Sequence, residues 1–175
     1  MEELGLTGSS QARVEAAQAK ELETGLTEQD KRANVVRLAF QGDEERLKEF
    51  VEIIRGAIPP DTGVVLRGSA VTGRRWKDGA LFDCEGPGTS DLDLTLVGAE
   101  VLRYYSAFWI PGIHSKPLSD KDPDIAPELT PLRRQLMDMV HRPVNIQGTR
   151  DWLQHFRGDI MNQPYLILFG EIQEP

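Results

Sequence analysis

The chain has 175 residues, 39% apolar and 27% charged, which is enough for one domain with a core of its own. A formal charge of −8 and a pI near 4.9 argue against the broad Lys/Arg face that grips nucleic-acid backbone, so a long polynucleotide is not the expected partner. The single cysteine, Cys84, excludes an internal disulfide and a cysteine-based metal cluster and fits a reducing cytoplasm; with no apolar leader and no bilayer-length apolar run, neither a signal peptide nor a membrane span is expected.

Residues 1–26 are rich in Gly, Ser, Gln, Ala and Glu and read as a mobile tail, with a marginal helix at Ala12–Leu22. Residues 27–175 read as one domain. Thr27 with Asp30 is a helix-start signal, and Val35, Val36, Leu38 and Ala39 give a first helix its apolar stripe, ending near Gly42. Asp43 caps a second helix, where Leu47, Phe50, Val51 and Ile54 recur at i, i+3, i+4 and i+7; Gly56 and Pro59-Pro60 close it. Val64–Arg67 is a short buried strand, and Ser69 to Gly73 begins a helix or a tight loop. Arg74 to Gly88 is irregular, and Gly86-Pro87-Gly88 forces a turn before a second strand, Asp91–Val97.

Val101, Leu102, Tyr104, Tyr105, Phe108 and Trp109 fit a short helix with its aromatic side in the core. Residues 110–127, carrying Pro111, Pro117, Pro123 and Pro127, form a long loop. A helix over 128–141, a third strand at Pro143–Gln147, a last helix marked by Trp152, Leu153, Phe156 and Ile160, and a final strand at Tyr165–Phe169 complete the chain. This alternation predicts an α/β (α+β) fold, a mixed β-sheet flanked by helices.

Strand side chains alternate between faces, so Asp91, Asp93 and Thr95 share one face and Leu92, Leu94 and Leu96 turn to a core. Two neighbouring carboxylates repel and need a counter-charge; a divalent cation with oxygen ligands, Mg²⁺ above all, is the natural one. Asp120, Asp122 and Asp124 also alternate, but Lys121 and Pro123 intervene and the spacing fails the EF-hand pattern, so that stretch reads as a solvated loop. Gly68 to Arg75 grazes the P-loop pattern without its Lys or its Ser/Thr. His114, His141 and His155 share no spacing that suggests a ligand set or a triad.

A strand followed by Gly68-Ser69-x-x-x-Gly73, then a strand opening on Asp91-x-Asp93, resembles the nucleotidyltransferase superfamily, whose members carry Gly-Ser after one strand and Asp-x-Asp on the next. The resemblance covers about a fifth of the chain. It implies a nucleotidyltransferase-like fold and transfer of an NMP group from an NTP, ATP among them, to a hydroxyl or phosphate of a small-molecule or protein acceptor. By the same resemblance, Asp91 and Asp93 are catalytic and hold Mg²⁺ (or Mn²⁺), and Gly68 and Ser69 cradle the triphosphate.

The connection from Ser69 to Asp91 is longer than the compact family pattern. It brings Arg74, assigned to nucleotide binding, with Arg75 and Lys77, toward phosphate. Where the family usually offers a third carboxylate, the third strand presents Asn145, and Asp83, Asp138 and Asp151 are alternative sources. The alternative function is therefore a catalytically inactive relative that binds nucleotide or a partner protein, as antitoxin-like members do. Few residues follow the third strand, so a partner protein or a second copy in a homodimer is expected to complete the site.

Overall fold

A computed structural model describes residues 25–151 and 164–170. The first helix, α1 (Glu28–Ala39), opens on a capping box: Thr27 Oγ1 accepts from Asp30 N at 3.1 Å and Asp30 Oδ2 accepts from Thr27 N at 3.0 Å. A turn through Gln41 and Gly42 reverses the chain into α2 (Glu44–Ala57), where Asp43 Oδ1 accepts from Glu45 N and Arg46 N. The face predicted from its spacing is the one buried: Leu47, Phe50, Val51 and Ile54 all lie in the core, and Phe50 meets Phe40 of the turn edge-on at 5.1 Å.

The strands are β1 (Gly63–Arg67), β2 (Leu92–Val97), β3 (Phe108–Ile110), β4 (His114–Ser115), β5 (Val144–Thr149) and β6 (Tyr165–Phe169), in the spatial order β3-β4-β5-β2-β1-β6. The sheet is mixed. β2 runs antiparallel to β1 and parallel to β5, and the parallel pair requires a long crossover, which contains β3, β4 and the helix α4 (Thr130–Val140). A short helix, α3 (Ser69–Thr72), follows β1 directly.

Register sorts the side chains by face. Leu94 lies between Leu66 and Ile146, and Leu92 opposite Val144; together with Val64 and Leu96 they join the helices in one hydrophobic cluster. On the other face Asp93 lies between Arg67 and Asn145, and Thr95 between Val65 and Gln147. The same period of two that hides the leucines thus gathers charged and amide side chains in one row across three strands.

Two expectations are corrected. Residues 101–109 do not form one helix: a 3-10 helix covers Ala99–Tyr104, Tyr105 turns extended, and Phe108–Ile110 is a strand. The break has a cause. Tyr105 donates its hydroxyl hydrogen to the Ile146 carbonyl at 2.8 Å, and Ser106 N donates to Ile125 O, so both leave the helical path. Trp109 is consequently 62% exposed rather than in the core, with the Lys116 ammonium 5.0 Å from its ring centre. The loop expected over 110–127 holds β4, which pairs with β3 through a Pro111-Gly112 turn and with β5 at His114–Thr149.

The expected helix over 128–141 is present as a 3-10 turn at Pro127–Leu129 running into α4. Its buried Arg133 donates to Val144 O at 2.7 Å and to Asp120 at 2.6 Å, so Asp120, in the loop that the sequence reads as solvated, is an ion-pair partner. The predicted helices at Ala12–Leu22 and Trp152–Ile160, and His155, lie outside the described residues.

Candidate functional site

β1 and β2 are antiparallel, so the end of one meets the start of the other, and Arg67 pairs in register with Asp93. Gly68, the next residue, turns the chain at φ +95°, a left-handed conformation that glycine takes without a Cβ penalty. A Cβ there would sit 3.0 Å from Asp93 Oδ2, so the bend and the carboxylate touch only because the side chain is missing. Ser69 opens α3, buried, with no hydrogen-bond partner for its hydroxyl among the described residues. The Gly-Ser bend and the acid pair, separated by more than twenty residues of sequence, border one cavity of about 380 Å³.

The two carboxylates are joined by an amide. Asn145 Nδ2 donates to Asp91 Oδ2 at 2.8 Å and to Asp93 Oδ1 at 2.9 Å. Burial and the neighbouring Asp91 charge push the Asp93 carboxyl up from its usual range; the Arg67 cation and the Asn145 hydrogen bond act in the opposite direction. Arg67 is held in place by donating to Thr95 Oγ1 and Gln147 Oε1, both at 3.0 Å, while burial works against its charge and Asp93 supports it. On β4, burial and the Arg67 charge push His114 down to about 4, which leaves it neutral at physiological pH.

The Arg74–Ser90 connection forms much of the rest of the cavity and has its own fastening. Asp83 accepts from Arg142 Nη1 at 2.8 Å and Nη2 at 3.0 Å, a two-pronged pair with only 7% of the Arg142 side chain exposed. Asp83 and Ser90 bond reciprocally, backbone to side chain, and Arg142 also donates to Ser90 O at 2.8 Å. The Arg142 hydrogen bond, with backbone donors from Ser90 and Gly88, holds the Asp83 carboxyl down to about 2 against its partial burial. Gly88 takes φ +75°, and a Cβ there would strike His141 O at 2.8 Å, so the connection lies flat against the end of α4. Ser90, fastened in this way, is the residue before Asp91.

The expected site residues are distributed as follows. Gly68, Ser69, Asp91 and Asp93 line the cavity together, and Asn145 stands between the acids. Arg74 does not line it. Its guanidinium donates to Gly79 O at 3.1 Å, and its backbone bridges to Leu81. Arg75, Trp76 and Lys77 are the lining residues of that stretch, and Arg75 is already paired with Asp78 and Glu85. Of the alternative carboxylates, Asp83 is consumed by Arg142 and Asp138 is exposed on α4. No group of three or more His, Cys, Asp or Glu side chains gathers among the described residues.

The residues suit a divalent cation on one count of their own chemistry: two adjacent carboxylates, each with one oxygen unbonded among the described residues, bordering the same cavity as the Gly68 bend. Gly68→Ala is expected to disturb the junction of the bend with Asp93. The variant would be strained at φ +95° and would push the Asp93 carboxylate, lowering stability in denaturant melts by about 1–3 kcal/mol. Comparison with known proteins gives no match to any family model, curated protein or solved structure.

Proposed function

We propose that the chain is a Mg²⁺-dependent nucleotidyltransferase that moves an NMP group from an NTP to a hydroxyl or phosphate of a small-molecule or protein acceptor. One observation carries the reading: the Gly68-Ser69 bend and the Asp91/Asp93 pair, distant in sequence, border the same cavity, with Gly68 against Asp93 Oδ2.

The roles follow from the side chains. Gly68 lets backbone approach phosphate closely, and the buried Ser69 hydroxyl is available to donate to a phosphate oxygen. Arg75 and Lys77 bring positive charge to the cavity, and Trp76 gives it an aromatic surface. Asp91 and Asp93 would hold the cation, which would neutralise charge on the triphosphate. In the reaction an acceptor oxygen forms a bond to the α-phosphorus as the bond from that phosphorus to the α,β-bridging oxygen breaks. Pyrophosphate leaves with that electron pair, and any proton on the acceptor passes to solvent. Such chemistry depends on alignment and charge neutralisation more than on covalent help, which is what a rigid bend and a fixed acid pair offer.

Asn145 favours a second reading. An amide adds no charge and takes no proton, so the chain would bind metal–nucleotide, or a partner protein, without transferring the nucleotidyl group. Incubation of the full chain with α-labelled NTPs, Mg²⁺ or Mn²⁺ and cell extract separates the two. Transfer of label to an acceptor, lost in Asp91→Asn and Asp93→Asn, is the expected outcome. Nucleotide retained without any label transfer supports the second reading instead.

A further inference from the structure

We propose that the site takes a single divalent cation, on the Gly68 side of the acid pair, and that the Asn145 amide keeps a second one out. The inference rests on the metal–nucleotide reading above and narrows it.

The argument turns on which carboxylate oxygens remain. Asn145 gives one hydrogen to Asp91 Oδ2 and the other to Asp93 Oδ1, at 2.8 and 2.9 Å. The oxygens turned toward β5 are therefore already satisfied, by a group that carries hydrogens where a cation would need lone pairs. The other two, Asp91 Oδ1 and Asp93 Oδ2, have no hydrogen bond among the described residues. Asp93 Oδ2 lies beside Gly68, 3.0 Å from where a Cβ there would sit, and Gly68, Asp91 and Asp93 border one cavity, which puts the proposed cation on the Gly68 side of the pair. Asp91 Oδ1 and Asp93 Oδ2 are the oxygens that would hold a cation, which would supply charge neutralisation for a triphosphate.

Charge agrees. Two neighbouring dications, about 3.5–4 Å apart, are held by carboxylates that bridge them. Here a neutral amide links the two acids, the buried Arg67 cation, in register with Asp93, offsets part of the pair's charge, and the described residues gather no third acid, histidine or cysteine. With so little negative charge, and with Asn145 capping one oxygen of each acid, the cluster suits one dication rather than two.

The test counts cations directly. The full chain is titrated with Mn²⁺ under saturating non-hydrolysable ATP or GTP analogue, and free and bound manganese are read by electron paramagnetic resonance. One bound Mn²⁺ per chain with a magnetically isolated spectrum is expected for the natural sequence, rising to two with spin–spin coupling in Asn145→Asp. Two cations or a coupled pair in the natural chain overturns the proposal while leaving the nucleotide site standing. One cation in both the natural chain and a folded Asn145→Asp variant overturns the role given to Asn145. No manganese retained with either analogue overturns the nucleotide site itself, and the proposal with it.

Discussion

Asp93→Asn is expected to abolish Mg²⁺-dependent nucleotide binding while making the metal-free protein more stable. The loss follows from removing one of the two carboxylates proposed to hold the cation; label transfer should fall by at least roughly 100-fold, the scale of losing one aligned charge-stabilising group. The gain in stability follows from the fold. Asp93 is buried beside Asp91, and both facts raise its carboxyl above the usual range. A raised folded-state value means the native protein holds the proton more tightly than the unfolded chain. That contribution is fully present below the unfolded value of about 3.9 and is lost as pH rises through the folded one, so above the folded value the ionised pair is a cost, offset in part by the Arg67 charge. An asparagine keeps the shape and drops the charge. Melting of the EDTA-treated protein near neutral pH should rise by about 2–4 °C for each kcal/mol of repulsion relieved. Adding Mg²⁺ and nucleotide reverses the order, because only the natural chain gains the binding term, about 2.7 kcal/mol at a hundredfold excess over Kd. An unchanged or lower melting temperature for the metal-free variant would contradict the strain assigned to the pair.

Asp83→Ala is expected to be the most destabilising surface-loop change. It leaves the Arg142 guanidinium, whose side chain is 7% exposed, without its carboxylate. Breaking one side of a buried pair costs about 3–5 kcal/mol, more than the pair is worth when intact. Denaturant melts should show the loss, and nucleotide affinity should fall with it, because Ser90 and hence Asp91 are fastened through the same pair. The pH profile gives an independent check. Asp83 is held down to about 2 from an ordinary 3.8, so its contribution is present above the ordinary value and disappears as pH falls toward 2. Asp83→Asn should flatten that part of the acid-unfolding curve; a curve identical to that of the natural chain would show that the pair does not carry it.

Much of this architecture was legible in the sequence, for local reasons. Thr27 with Asp30, and Asp43 before Glu44–Ala57, are caps whose donors lie two or three residues away. The alternation from Asp91 to Val97 shows which side chains face the core, whereas Asn145 stood out only through the family resemblance, and its register opposite Asp93 is set by the β2–β5 pairing. The failures are of another kind. Phe108–Ile110 and His114–Ser115 are too short to show periodicity, and the strand pairing that defines them is not written in any local pattern. Tyr105 leaves its helix for a carbonyl on β5, a partner about forty residues on. Arg142 beside Asp83 was invisible for the same reason, being a pair made across 59 residues by a loop that had been read as irregular. Arg74 was assigned to nucleotide from charge and proximity in sequence, and a tight turn to Gly79 sends it elsewhere while Arg75 and Lys77 reach the cavity.

Isothermal titration of the full chain with ATP and with GTP, each with Mg²⁺ and again with EDTA, tests the central claim most directly. Saturable heat that requires Mg²⁺ and vanishes in both Asp91→Asn and Asp93→Asn is the predicted result. Heat that persists in EDTA or in those variants, or no binding of either nucleotide with Mg²⁺ present, would contradict it.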